Sequence, residues 1–203
     1  MKKKGLFFGT FDPLHNGHVA IGKYFIKKLE LDELWLVVTP LNPFKNIENI
    51  SDELKRLEMV KSFCRNQKQI ICSRVEFELS KPNYTADTLK FIVKENLDTK
   101  FFVILGEDNL NSLHLWKDFD KILKHQICVY PRKNLKKGMN NLINHKRVKL
   151  YDAPTMDISS TLIRDLIIEG LSLARTQKEE FNSVIQSNDG DINALFLNLT
   201  NFI

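Results

Sequence analysis

Short apolar runs alternate along the chain with longer stretches in which apolar residues recur every three or four positions. The short runs predict strands, which lie at residues 5–8, 34–39, 70–79, 101–105, 127–130 and 148–150. The three-and-four spacing predicts helices, which lie at residues 19–29, 51–63, 85–97, 107–123 and 159–169. Because strands and helices alternate, the sequence predicts an α/β fold with a doubly wound parallel sheet and helices on both faces.

Two residues are predicted to mark helix ends. Ser51 precedes an apolar stripe that includes Leu54 and Val60, and we expect it to cap that helix. Gly170 follows the last predicted helix and is expected to be its C-cap. The sequence contains no linker, repeat or low-complexity tract, so residues 1–203 are expected to form one Rossmann-like domain.

The stretch between the first strand and the first helix carries the most chemistry. Its sequence is Phe8-Gly9-Thr10-Phe11-Asp12-Pro13-Leu14-His15-Asn16-Gly17-His18. A loop at this point favours a phosphate, because unpaired N–H groups and the positive end of the helix dipole point the same way. Gly9 and Gly17 are expected to let a ligand approach the backbone, and Pro13 to stiffen the turn. His15 and His18 lie three residues apart, on one face of the first helical turn.

The sequence excludes several common sites. The loop lacks the lysine of a P-loop, the glycine spacing of a dinucleotide fingerprint and the H-E-x-x-H of zinc proteases. The three cysteines, at positions 64, 72 and 128, form no C-x-x-C pair, so neither a disulfide framework nor a zinc ribbon is indicated. We therefore expect no metal held by protein side chains alone.

The composition of the chain is basic. The chain has 203 residues and a formal net charge of +5, which suits an anionic ligand or nucleic acid but equally a basic solvated surface. No RNA-recognition or helix-turn-helix pattern is present, so we expect no nucleic-acid partner. The sequence has neither a secretory signal pattern nor a run of about 18 apolar residues, so we expect a cytoplasmic protein with no membrane contact.

Three polar stretches are expected at the carboxyl ends of other strands, where α/β sheets bind ligands. Thr85 precedes a helix and is either its cap or a hydrogen-bonding group for a ligand. Asp108 follows the strand at 101–105 and either accepts from ribose hydroxyls or caps the next helix. Trp116 either stacks on a flat ring or packs in the core.

The start of the last predicted helix is a second candidate anion site. Ser159, Ser160 and Thr161 offer three hydroxyls there, and Arg164 lies one turn further on. A plain helix cap needs one hydroxyl, whereas N–H groups, hydroxyls and a guanidinium together can hold a phosphate. We therefore favour the anion site.

Four stretches, in order, carry a resemblance. Residues 9–18 resemble the (H/T)-x-G-H loop of the nucleotidyltransferase superfamily. Residues 80–89 are close to P-S-Y-T-x-D-T-L, residues 104–116 to I-x-G-x-D-x-L-x-x-L-x-x-W, and residues 158–164 to I-S-S-T-x-I-R. Together they make the chain similar to the bacterial nicotinate-nucleotide adenylyltransferases.

This resemblance implies a reaction and a set of residues. The reaction transfers AMP from ATP to nicotinate mononucleotide and gives deamido-NAD and pyrophosphate, with Mg²⁺ bound through the ATP phosphates. The implied catalytic residues are His15, His18 and Arg164. The implied ATP-binding residues are Gly9, Thr10, Phe11, Gly106, Asp108, Ser159, Ser160 and Thr161. The implied acceptor-binding residues are Lys45, Tyr84, Thr85, Trp116 and Arg132.

The chain departs from the family pattern in two places. Phe44 stands where a histidine often precedes the lysine. After Gly170 the usual V-P-x-x-V-x-x-Y-I segment is absent, so residues 171–203 form an atypical tail for which we expect mostly helix.

Other functions remain open on the sequence. One is a related adenylyltransferase that acts on nicotinamide mononucleotide or phosphopantetheine. Another is a non-catalytic nucleotide-binding or RNA-binding module, which would leave both histidines and Arg164 without a purpose. The sequence also leaves open whether the protein forms a homo-oligomer.

Overall fold

The structure is a computed structural model, and it describes residues 1–45, 50–132, 141–155 and 158–176. The chain divides into two compact units, Met1–Asp157 and Ile158–Ile203. The prediction that residues 1–203 form one domain stays a prediction. Within the described ranges, no helix combines the length and the apolar character that crossing a membrane requires.

The first unit is built on a six-stranded parallel sheet. The strands are β1 (Lys2–Gly9), β2 (Glu33–Val38), β3 (Ile70–Ser73), β4 (Thr99–Gly106), β5 (Gln126–Tyr130) and β6 (Val148–Leu150). Their order across the sheet is β3-β2-β1-β4-β5-β6, which confirms the predicted Rossmann-like, doubly wound fold. The order reverses between β1 and β4, so the loops after these two strands flank the crevice where such sheets bind ligands.

Helices cover both faces of this sheet. They are α1 (Asn16–Leu29), α2 (Glu53–Cys64), α3 (Thr85–Glu95), α4 (Glu107–Ser112) and α5 (Phe119–Ile122). Successive strand residues face opposite sides, so Phe7 packs in a core with α1 and α2, while Leu6 packs in a second core with α3, α4 and α5. The two cores hold the strand ends, and therefore the loops beyond them, in fixed positions.

Several predicted boundaries were wrong. Asp52 caps α2, because its Oδ1 accepts from the N–H groups of Leu54 and Lys55 at 2.9 and 3.0 Å. Ser51, the predicted cap, instead donates its N–H to Asp12 Oδ2 at 3.1 Å. The side chain of Leu54, predicted to face the core, is 59% exposed.

Two longer predicted elements are also interrupted. The extended stretch predicted over 70–79 ends at Ser73, because its neighbour β2 ends at Val38 and offers no further ladder; a 3-10 turn, Val75–Glu78, follows. The helix predicted over 107–123 is split into α4, a 3-10 turn and α5. Asp118, with a φ of 51°, breaks the helical path before α5.

The second unit contains α6, Ser160–Thr176. Gly170 lies inside this helix and is not its C-cap, because an interior glycine costs a helix only about 1 kcal/mol and does not end it. The helix predicted for the tail is therefore present as far as residue 176. Residues 177–203 lie outside the described residues, so that part of the prediction is untested.

Candidate active site

The two histidines form a reciprocal cap at the start of α1. His15 is the N-cap residue, and its Nδ1 accepts from the N–H of Gly17 at 3.1 Å. His18 reaches back, and its Nδ1 accepts from the N–H of His15 at 3.3 Å. The ring centroids are 3.8 Å apart. Helix capping therefore fixes both imidazoles side by side at the carboxyl end of β1.

These hydrogen bonds also set the protonation of the rings. Because each Nδ1 accepts from a backbone N–H, a neutral ring carries its proton on Nε2, the nitrogen directed away from the cap. Burial, the neighbouring His15 and the charges of Arg132 and Lys45 lower the pKa of His18 to about 3. Burial and Arg132 also lower the pKa of His15. Both rings are thus neutral N–H donors surrounded by positive charge, an arrangement suited to an anion.

The Phe11 ring packs against the histidine pair. Its backbone has a positive φ of 47°, and its buried ring meets the His18 ring edge to face, with centroids 5.2 Å apart. A Cβ on Gly9 would lie 3.1 Å from the Phe11 ring. Gly9 therefore makes room for the Phe11 ring on the side where a Cβ would lie, and the expectation that it lets a ligand approach the backbone stays a prediction. Its predicted place in the ATP site stays a prediction.

Lys45 and a residue that sequence reasoning missed, Arg56, join the loop after β1 to the loop after β2. Lys45 Nζ donates to Thr10 Oγ1 at 2.8 Å. Arg56 is 2% exposed, and its Nη1 donates to the carbonyl oxygens of Thr10 and Thr39 at 2.6 and 2.8 Å. Its Nη2 donates to the carbonyl of Pro40 at 2.8 Å. The guanidinium thus fixes both loops at the carboxyl edge of the sheet.

Arg132 and Asp108 meet across the ends of β5 and β4. Arg132 Nε donates to Asp108 Oδ1 at 3.3 Å, and its guanidinium carbon lies 5.2 Å from the centre of the Tyr130 ring. The Asp108 carboxylate lies against Gly106 where a Cβ would be, so a larger residue at 106 would displace that carboxylate. Gly106 occupies the N-cap position of α4, and Asp108 lies inside the helix, so the alternative in which Asp108 is the cap is wrong.

Tyr84, Thr85 and Trp116 line one open pocket. The full lining is Asn42, Pro43, Phe44, Asn83, Tyr84, Thr85, Trp116 and Lys117. The Trp116 ring is partly buried against the core beneath α3, so it both packs and faces the pocket. Tyr84 is the N-cap residue of α3, and Thr85 is its first residue, so the alternative in which Thr85 caps the helix is wrong.

Asn83, another residue that the sequence did not single out, braces this pocket. Its N–H donates to the carbonyl of Leu41 at 2.9 Å, and its Oδ1 accepts from the N–H of Leu41 at 3.2 Å. Its Nδ2 donates to the carbonyl of Glu76 at 2.8 Å. The loop before α3 and the loop after β2 are therefore paired, which brings Phe44 beside Tyr84 and Thr85.

The remaining predicted residues lie in the second unit, at the start of α6. Ser159 Oγ accepts from the N–H of Leu162 at 3.1 Å, which is a helix-capping bond. Arg164 Nη2 donates to Thr161 Oγ1 at 3.3 Å. Capping thus uses one of the three hydroxyls, and the guanidinium lies on the same helical turn as another. The roles of Ser159, Ser160, Thr161 and Arg164 towards ATP stay predictions.

Arg56 and Asn83, which the sequence analysis did not identify, differ in how strongly the sequence indicates their roles. Arg56 lies four residues before Val60, on the buried face of an amphipathic helix, and a charge at such a position is a signal of a buried bridge. Asn83 carried no comparable signal, since its partners come from loops distant in sequence. Within the described part of the chain, no group of three or more His, Cys, Asp or Glu side chains is placed to hold a metal ion.

Comparison with solved structures shows a shared fold. The Plasmodium falciparum nicotinic acid mononucleotide adenylyltransferase complexed with NaAD superposes with a TM-score of 0.69 at 20% identity, covering 82% of this chain and 84% of that one. The same protein complexed with APC gives a TM-score of 0.67 at 19% identity, with the same coverage. At these identities the likeness speaks for the fold alone.

Comparison of sequences identifies the family. The cytidylyltransferase-like family model matches residues 6–166. A probable nicotinate-nucleotide adenylyltransferase of Flavobacterium psychrophilum is 43% identical over 166 residues, which cover 81% of this chain and 86% of the relative. One of Cytophaga hutchinsonii is 40% identical over 186 residues, 91% of this chain and 96% of the relative. The chain therefore belongs to the cytidylyltransferase-like nucleotidyltransferases and, within them, to the family of nicotinate-nucleotide adenylyltransferases.

Proposed function

We propose that the protein transfers AMP from MgATP to the phosphate of nicotinate mononucleotide and releases pyrophosphate, forming deamido-NAD for NAD biosynthesis. The observation that supports it best is the pair of neutral, adjacent histidine rings beside Lys45 and Arg132. Phe44, the residue before Lys45, lines a pocket with two aromatic walls. The loop after β2 thus contributes Lys45 to a site for phosphates and Phe44 to a pocket for a flat ring. ATP and nicotinate mononucleotide together require both.

The chemistry needs no activated side-chain nucleophile. A phosphate oxygen of the acceptor attacks the α-phosphorus of ATP, the bond from that phosphorus to the bridging oxygen breaks, and pyrophosphate leaves with the electron pair. The protein must align the two anions and stabilise the charge that develops on the α-phosphate and pyrophosphate. The Nε2–H groups of His15 and His18 and the charges of Lys45 and Arg132 suit this task.

Mg²⁺ would enter as part of the substrate, on the ATP phosphates. The side chains around the histidines are mostly cationic and neutral donors, which suits phosphate oxygens better than a bare metal ion. Asp108, beside Gly106, is available to the ribose of a nucleotide once its bond to Arg132 is exchanged. By family resemblance, we assign Ser160, Thr161 and Arg164 to the triphosphate.

The start of α3 provides a basis for choosing the acid over the amide. Tyr84, the N-cap residue, makes no side-chain capping hydrogen bond within the described part of the chain. The first N–H groups of a helix have no acceptor inside the helix, and its dipole favours a negative group there. The carboxylate of nicotinate fits these donors, whereas the amide nitrogen of nicotinamide offers no acceptor to them.

Pyrophosphate release with MgATP tests this proposal directly. Nicotinate mononucleotide, nicotinamide mononucleotide and phosphopantetheine are offered in parallel to the full-length protein, and we expect rapid release with the first alone. Release with only another acceptor would overturn the substrate and keep the reaction class. No release with any of them, together with salt-sensitive RNA binding, would favour the binding-module alternative.

A further inference from the structure

We propose that Phe44 is a specificity-determining residue of the acceptor pocket, where it and Trp116 enclose the flat pyridine ring between two aromatic faces. This inference rests on the proposed function and names a residue that the family resemblance does not supply, since Phe44 stands where a histidine is common. The geometry of the two rings carries it.

The rings of Phe44 and Trp116 are nearly parallel and widely spaced. Their planes are tilted by 26°, and their centroids are 6.5 Å apart. Carbon atoms in contact lie roughly 3.5 Å apart, so an aromatic ring held between two others needs outer rings roughly 7 Å apart. The centroid separation, which is the upper limit of the gap between the two faces, is close to that value. Both residues also line the same open pocket.

Folding does not explain the position of Phe44. Its side chain is 60% exposed and belongs to neither of the two hydrophobic cores. Its backbone is nevertheless held firmly, because its N–H donates to Asn42 Oδ1 at 2.9 Å and the N–H of Lys45 donates to the carbonyl of Asn42 at 3.1 Å. An exposed phenylalanine on a pinned turn is poised to bury its face against a ligand.

The two sides of the slot are also joined to each other. Asn83 pairs with Leu41, which leads into the turn that carries Phe44, and Asn83 precedes Tyr84 and Thr85 at the start of α3. Lys117 follows Trp116, and its Nζ pairs with Asp87 Oδ2 of α3 at 2.8 Å. Both aromatic walls are thus tied to α3, so little ordering is required when a ring enters.

The exposed side chain gives the slot its selectivity. A pyridine ring replaces water on two aromatic faces at once and gains stacking on both. A flexible pantetheine arm has no flat face to fill the same gap. The neighbouring Lys45 turns towards Thr10 and the histidine site, so a ring held at Phe44 would direct its attached phosphate towards that side.

Steady-state kinetics of Phe44→Ala, Phe44→Leu and Phe44→Tyr test this role. We expect the alanine variant to raise the KM for nicotinate mononucleotide roughly tenfold or more, since stacking on one face contributes about that much. The KM for ATP should stay within about twofold, as expected for a side chain that lines the ring pocket while the neighbouring Lys45 side chain extends to Thr10. Leucine should restore little of the lost affinity, because it supplies bulk without an aromatic face, and tyrosine should restore most of it.

Direct binding supplies a second readout that does not depend on turnover. Titration of the protein with nicotinate mononucleotide in the absence of ATP should quench tryptophan fluorescence, and the midpoint should move by the same factor in Phe44→Ala. Phe91→Ala, at an exposed phenylalanine on α3 outside the pocket lining, is the matched control and should behave as wild type.

The outcomes separate this inference from the function on which it rests. An inactive wild-type protein would overturn the proposed function. An active wild type, with an unchanged KM for nicotinate mononucleotide in Phe44→Ala, would overturn the role of Phe44 and leave the function intact. An equal rise in the KM values of both substrates would also overturn it, because a disturbed loop would act on both sites.

Discussion

The backbone N–H of His15 donates to Nδ1 of His18 at 3.3 Å, and this bond determines which nitrogen of His18 is available for chemistry. With Nδ1 occupied as an acceptor, the neutral ring presents an N–H at Nε2. The same hydrogen bond caps α1, so the formation of this helix also orients the Nε2–H donor of His18. Because capping uses Nδ1 and the donor is at Nε2, a substitution can remove the donor and keep the cap.

Replacing His18 by asparagine should remove the donor and keep the cap. The asparagine amide oxygen can take the place of Nδ1, but nothing reaches the position of Nε2. We expect His18→Asn to lower kcat roughly 100-fold or more, as for the loss of one preorganised donor. Its free energy of unfolding in urea should stay within about 1 kcal/mol of wild type. His18→Gln, with an amide nitrogen near the Nε2 position, should recover part of the rate. Wild-type turnover in the asparagine variant would contradict this role.

The pH dependence of His18 should differ from that of an ordinary histidine. Burial lowers its pKa from 6.5 to about 3, so its NMR signals should titrate near pH 3 in the free protein, and kcat/KM should show no acid limb near pH 6.5 due to this ring. Between these values the unfolded chain binds the extra proton. The free energy of unfolding should therefore fall as the pH falls from about 6.5 towards 3.

The difference between wild type and His18→Asn isolates this contribution. The pKa of His15 is lowered in the same direction, so both proteins lose stability in acid, but wild type should lose more. Unfolding curves measured at several pH values provide the comparison. If the two proteins lose stability in parallel, His18 has an ordinary pKa and the assignment of a permanently neutral donor is wrong.

The sheet and the histidine loop were predictable because both depend on local patterns. Apolar runs predicted the strands, and their alternation with helices predicted the parallel, doubly wound sheet that the structure has. His15 and His18 were correctly placed at the entrance of the first helix: His15 is the N-cap residue and His18 lies in the first turn of α1, which begins at Asn16 rather than residue 19. Propensity and spacing act over a few residues, and a sequence records them directly.

The bracing around the site was not predictable, because it joins residues that are distant in sequence. Arg56 reaches the carbonyl of Thr10, 46 residues away, and Asn83 reaches Leu41, 42 residues away. The positive φ of Phe11 is a second case, since non-glycine residues adopt it rarely and the sequence around Phe11 carries no local signal for it. The Phe11 ring then lies against Gly9 on the side where a Cβ would be.

Substitution of Arg56 should reduce stability and activity together. Its guanidinium donates to the carbonyl oxygens of Thr10, Thr39 and Pro40, and alanine would leave these acceptors buried without a donor. We expect Arg56→Ala to lower the free energy of unfolding by about 3 kcal/mol or more, measured in urea. Arg56→Lys keeps the charge but not the planar fork, so it should be intermediate in stability.

Activity measured at a temperature where both variants are folded distinguishes the effect of Arg56 on the position of the site from its effect on the stability of the fold. The lysine variant should show a lowered kcat even when fully folded, because the loop that carries the histidines is less well fixed. A folded lysine variant with wild-type kcat would show that the arginine stabilises the fold without positioning the site.

Glu76 should give the opposite pH dependence to His18. Its side chain is 1% exposed, Thr88 Oγ1 donates to its Oε1 at 2.7 Å, and burial raises its pKa to about 7, against hydroxyl hydrogen bonds that favour the charged form. Between about pH 4.5 and 7 the folded protein binds the extra proton. The free energy of unfolding should therefore fall as the pH rises through this window, by up to roughly 3 kcal/mol.

Glu76→Gln tests this contribution, because the amide keeps an acceptor for Thr88 and cannot ionise. Urea unfolding of both proteins from pH 4.5 to 8 should give curves that diverge, with the glutamine variant gaining relative to wild type as the pH rises. Since Asn83 donates to the carbonyl of Glu76, we expect the same ionisation to weaken the hydrogen bonds of Asn83 beneath the acceptor pocket. The KM for nicotinate mononucleotide should then rise above pH 7 in wild type and less so in Glu76→Gln. Parallel unfolding curves would show that Glu76 is ionised in the folded protein, and the linked change in KM would not be expected.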